Sequence, residues 1–181
     1  MIRIITFFSV ICASLAVTAA DPSLPDKGQY LVSKWEIPLD AAVREYFPAP
    51  EYTTLSFNTP KEFDNRIYSH LVTVAPDIAP KVVVIRSKGT PARDMLFIDG
   101  KLFSLLERPG AVDSLKFKTL FVAMKDCYGL PQMTKENDYT VYTYKTEKTQ
   151  AVLQAKTVGD RFDVRIYLYA PPIFKRLFLE Q

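Results

Sequence analysis

The stretch from Asp94 to Pro131 constrains this chain more than any other. Met95-Leu96-Phe97-Ile98 and Leu102-Phe103-Ser104-Leu105-Leu106 are short apolar runs separated by Asp99-Gly100. A two-residue hairpin turn needs positive φ at both central positions, which glycine adopts freely and aspartate tolerates. The pair therefore predicts a β-hairpin. Downstream, Phe117, Leu120, Phe121, Met124 and Tyr128 recur at steps of three and four, one face of an amphipathic helix. Asp113 stands where an N-cap side chain would accept from a free backbone N–H, and Gly129 followed by Pro131 ends the helix. Phe121 and Met124, at the centre of the stripe, are expected to be almost fully buried.

The N-terminus has the layout of a secretory signal peptide. Arg3 supplies a positive charge, Ile4 to Val17 is largely apolar, and Thr18-Ala19-Ala20 offers small residues before Asp21. The apolar run is shorter than the roughly 20 residues that span a bilayer. Cleavage near Ala20 is expected, with residues 1–20 removed and a periplasmic or secreted product. Residues 21–51 form a proline-punctuated N-terminal segment, and residues 52–181 the α+β domain.

Cysteine content agrees with either destination. Only Cys127 lies beyond the apolar leader, so no intrachain disulfide staples the exported chain. Beside Leu120 and Met124, it reads as a buried, inert thiol. Asn58 is followed by Thr59-Pro60 and no Asn-x-Ser/Thr acceptor occurs, which points to a bacterial envelope. The formal net charge is +3 and no Lys/Arg cluster stands out, so nucleic acid is not an expected partner.

The remaining elements follow from alternation and punctuation. Tyr30 to Ile37 carries Leu31, Trp35 and Ile37 on one side and Lys34 and Glu36 on the other, as in a strand. Leu39 to Phe47 reads as a short helix ended by Pro48. Tyr52 to Phe57, Arg66 to Val74 and Lys81 to Ile85 read as strands. Gln132 to Asn137 reads as a loop, followed by a meander of Tyr139 to Lys145, Gln150 to Thr157 and Arg161 to Tyr169. Ile173 to Leu179 ends the chain as a short helix. No internal repeat at a fixed period is visible. The order implies an α+β fold: a mostly antiparallel, curved β-sheet with one main amphipathic helix packed on one face as a two-layer sandwich, and short flanking helices.

Motifs for chemistry are few. The single histidine, His70, is a weak catalytic candidate, as a base for Ser69 or for a distant Cys127. Zinc chemistry would want more histidines or cysteines, and no cofactor loop is present, so neither metal nor cofactor is expected. Scattered carboxylates could pair across a cleft, but Asp99 and Asp113 have turn and cap duties. Arg86, Lys88 and Arg93, on a stretch read as a loop, could bind an anion.

The reading is an exported, non-enzymatic binding or interaction module that uses a sheet face or an exposed strand edge. Its partner would be an unknown protein or a small apolar ligand. A small secreted hydrolase, or a carrier of an amphiphilic or lipid ligand, are the alternatives. Ile173, Phe174, Leu177 and Phe178 form an apolar stripe suited to docking on the sheet or to peripheral membrane contact.

Overall fold

The structure, a computed structural model, describes residues 32, 34–47, 51–55, 65–74, 76–77, 81–88 and 91–171. The leader and the C-terminal helix expected over 173–179 lie outside the described residues. Three helices are described: α1 (Leu39–Tyr46), α2 (Arg66–Val74) and α3 (Ser114–Tyr128). Eight strands accompany them: β1 (Tyr52–Leu55), β2 (Val82–Ser87), β3 (Ala92–Ile98), β4 (Lys101–Val112), β5 (Gln132–Glu136), β6 (Tyr139–Lys145), β7 (Gln150–Val158) and β8 (Arg161–Tyr169). They form one open sheet in the order β1-β2-β3-β4-β8-β7-β6-β5, with every pairing antiparallel. The α+β class and the antiparallel sheet expected from the sequence are what forms.

Alternation along the strands sorts the core by face. Met95 and Phe97 of β3, Leu102 and Leu105 of β4, Leu153 of β7, and Val164 and Ile166 of β8 bury one face. Ala42, Val43 and Tyr46 of α1 and Leu120, Ala123 and Met124 of α3 pack on it. Leu96, Phe103, Leu106, Val152 and Tyr167 point the other way, where Ile67, Tyr68 and Leu71 of α2 join them.

The central hairpin forms as expected, with φ of 50° at Asp99 and 71° at Gly100. So does α3: the Asp113 side chain accepts from Lys116 N at 2.7 Å, and Gly129 at φ 84° ends the helix. Its stripe is shifted, however. Leu120, Met124 and Tyr128 are buried, whereas Phe121, like Phe117, is only half-buried. Phe121 packs edge-on to Tyr142 with ring centroids 5.1 Å apart, so its ring lies at the margin of the helix–sheet contact.

Three sequence expectations are corrected. Arg66–Val74 is a helix, not a strand: Asn65 Oδ1 accepts from Ile67 N (2.9 Å) and Tyr68 N (3.1 Å), and Ile67 and Leu71 fall on one helical face. Gln132–Glu136 is a strand rather than a loop, so the last meander has four strands. The described residues within 30–37 do not extend as a strand. Glu36 takes φ 59°, and the chain crosses the start of β4 with Glu36 N donating to Leu102 O (2.9 Å) and Leu102 N to Ile37 O (3.0 Å).

The order of the sheet divides it into two runs, β1–β4 and β5–β8, that meet along β4 and β8. Each run follows a helix on the same face, α1 before the first and α3 before the second. Both helices end in a tyrosine, Tyr46 and Tyr128. Both runs end in a hairpin with a two-residue turn, Asp99-Gly100 and Gly159-Asp160. In the first run, residues 56–81, with α2 among them, separate the opening two strands. In the second, Asn137-Asp138 does so.

Candidate functional site

Charged side chains penetrate the middle of the sheet. Arg93 on β3 faces Glu107 on β4, and both are buried. Arg93 Nε donates to Glu107 Oε2 at 2.7 Å, its Nη1 donates to the carbonyl of Tyr46, and its amide donates to Ser87 Oγ at 3.0 Å. One guanidinium thereby ties the end of α1 to the sheet. The next residue, Asp94, points to the opposite face and is completely buried. Arg86 Nε and Nη2 donate to its two oxygens at 2.6 and 3.0 Å, and Arg108 Nη1 donates to Oδ2. Bonding to the Asp94 carboxylate holds the Arg86 pKa above its ordinary value.

The cations read from the sequence as an anion-binding loop are therefore spread over strands and faces. Arg86 lies in β2, Arg93 lies in β3, and Lys88 follows β2 with Nζ 3.5 Å from Glu51 Oε2. Each is set against a carboxylate of the chain itself. His70 is exposed on α2 beside the exposed Ser69. Cys127 is half-buried on α3, against the opposite face of the sheet from α2.

A second polar assembly fastens the N-terminal segment over the face that carries α1 and α3. Tyr46 Oη accepts from Lys34 N (3.0 Å) and donates to Lys34 O (3.1 Å), while Tyr128 Oη accepts from Val32 N (3.3 Å). Trp35 Nε1 donates to Thr149 Oγ1 (2.9 Å), which donates to Val32 O (3.3 Å). The two helix-ending tyrosines thus grip the same strap. Burial pushes the Tyr128 pKa up to about 12 and raises that of Tyr144, whose buried hydroxyl has no hydrogen-bond partner among the described residues.

What the described residues leave open is an edge. β5 is the outermost strand of its run, and four of its five side chains are exposed. It pairs with β6 from Gln132↔Thr143 to Glu136↔Tyr139 without a register shift, so no bulge interrupts the row of its outer backbone groups. Met133 is 67% exposed and Leu130, just before the strand, 80%. Met133 stands opposite Tyr142, whose ring meets Phe121, so an apolar strip runs from α3 to the edge. At the other end, Arg66 of α2 clasps Glu136 through two hydrogen bonds of 2.6 and 3.1 Å. The opposite edge, β1, is four residues long and flanked in sequence by Pro48, Pro50 and Pro60.

Neither the Arg93–Glu107 pair nor the β5 edge was picked out from the sequence. The pair had a signal: Arg93 sits two before Met95 and Glu107 two after Leu105, in phase with inward-facing residues. β5 had almost none, because a strand exposed on both faces carries no alternation. No family model matches this chain, and neither a curated protein nor a solved structure does so.

Proposed function

We propose that the protein is an exported, non-enzymatic binding module of the bacterial cell envelope or secreted fraction, which engages its partner by strand addition at β5. The observation that carries the reading is the uninterrupted, exposed row of backbone groups on β5, flanked by Leu130 and Met133. A sheet edge of this kind binds extended chain through main-chain hydrogen bonds and selects through side chains at alternate positions. The charged groups in the sheet interior are already set against one another, which leaves backbone and apolar surface to do the recognising.

A photo-crosslinking amino acid placed at Met133 tests this in the native host. A discrete adduct is expected there and not from the same group at Val158, which is also exposed but lies away from β5. Equal labelling from both positions, or none from either, counts against β5 as the binding edge.

A further inference from the structure

We infer that the partner at this edge is a second copy of the chain, joined β5 to β5 about a two-fold axis through Thr134. The inference rests on the reading of β5 as the binding edge and names its occupant. When a sheet continues across a two-fold axis perpendicular to it, residues that face each other lie on the same side. Thr134 must then meet a residue of its own parity. Of such registers, only the one centred on Thr134 sets all five β5 residues opposite β5 residues. Centring on Met133 puts Lys135 opposite Pro131, which has no N–H to offer. Centring on Lys135 puts two ammonium groups face to face.

In the favoured register the side chains are compatible throughout. Gln132 faces Glu136, Met133 faces Lys135, and Thr134 faces its own copy. No like charges oppose one another. Lysine on an edge strand ordinarily discourages pairing, but here its aliphatic stem lies against Met133 and its charge meets no other. The apolar strip from Phe121 through Tyr142 to Met133 becomes continuous with that of the second copy. β1 offers no comparable edge, being shorter by a residue and bracketed by prolines. A five-residue ladder is at the small end of interfaces, so the association is expected to be micromolar or weaker.

Charge at position 133 gives the test, because that side chain is exposed in the single chain and faces Lys135 only in the dimer. Sedimentation equilibrium of the purified protein, extended to millimolar concentration, is expected to show monomer and dimer. Met133→Lys should raise the dimer Kd by roughly 2- to 30-fold, through two symmetry-related like-charge contacts. Met133→Glu should lower it by a similar factor, with a gain that shrinks in high salt. Urea denaturation should show both variants as stable as the parent. Weakening by both charges alike, or no response to either, overturns the register. A chain that stays monomeric throughout overturns the inference. If the Met133 photo-crosslinker then captures a different molecule, β5 still stands as the binding edge; if it captures nothing, both readings fall.

Discussion

Arg93 and Glu107 oppose each other across β3 and β4 at 2.7 Å, with side chains only 6% and 2% exposed. An ion pair so placed has given up its hydration, and removing one partner strands the other charge in the interior. Glu107→Gln or Arg93→Met is expected to cost about 3–5 kcal/mol, measured by urea denaturation. The double variant Arg93→Met/Glu107→Leu should recover much of that loss. The Arg93 variants should also loosen α1, because they lose the hydrogen bond to the Tyr46 carbonyl. Singles and double of equal stability would mean that the pair is not desolvated.

The burial order along α3 makes a second prediction. Met124 is completely buried and Phe121 only half-buried. Met124→Ala should cost about 2–5 kcal/mol, and Leu115→Ala, at a residue 72% exposed, less than about 0.5 kcal/mol. Phe121→Ala should fall between them. Thermal or urea unfolding of the three variants checks the order.

Thr149 is the keystone of the strap. Thr149→Val keeps the shape but leaves the Trp35 indole N–H and the Val32 carbonyl without this hydroxyl, which should cost about 1–3 kcal/mol. The chain has one tryptophan, so its fluorescence reports the change directly. An emission maximum and a melting temperature unchanged from the parent would count against the clasp.

Tyr128 links stability to alkaline pH. Its pKa rises from 10.0 to about 12 on folding, because burial disfavours the phenolate. Between those values the unfolded chain releases a proton that the folded chain keeps, so stability is intact below pH 10 and declines toward pH 12. The slope is roughly 1.4 kcal/mol per pH unit for one such group. Tyr144 shifts in the same direction and adds to the decline. Tyr144→Phe should therefore make the alkaline loss shallower. It should cost nothing at neutral pH, since the hydroxyl it removes has no partner among the described residues. Urea midpoints followed from pH 8 upward give both readings.

Export is the simplest proposal to check. Mass spectrometry of the protein from its native host should find a mature N-terminus at or near Asp21. Intact Met1 in the soluble fraction would contradict it.

Legibility in the sequence followed burial and turn chemistry. The Asp99-Gly100 hairpin, the Asp113 cap and the Gly129 stop were readable because each fixes its own backbone locally. The alternation of β6, β7 and β8 was readable because a buried face imposes it. Arg66–Val74 was mistaken for a strand because Ile67, Val72, Thr73 and Val74 are β-branched; the Asn65 cap and the Ile67–Leu71 spacing decide for helix. The Arg93–Glu107 pair was hidden by the habit of assigning charge to solvent. β5 was hidden because four of its five side chains are exposed, on both faces, and so show no alternation.

The line where β4 meets β8 is more than the middle of a sheet. Each helix with its four strands repeats the layout of the other, and the two share a single core across this line, Met95 and Leu105 of one packing with Leu153 and Ile166 of the other. Yet β4 and β8 are the last strands made in their respective halves, so this internal interface cannot close until Arg161–Tyr169 has been synthesised. The first half must wait, with the β4 side of its sheet uncovered, for almost the whole remainder of the described chain. Among the described strands, the sheet is therefore joined into one only by the last to be made, β8.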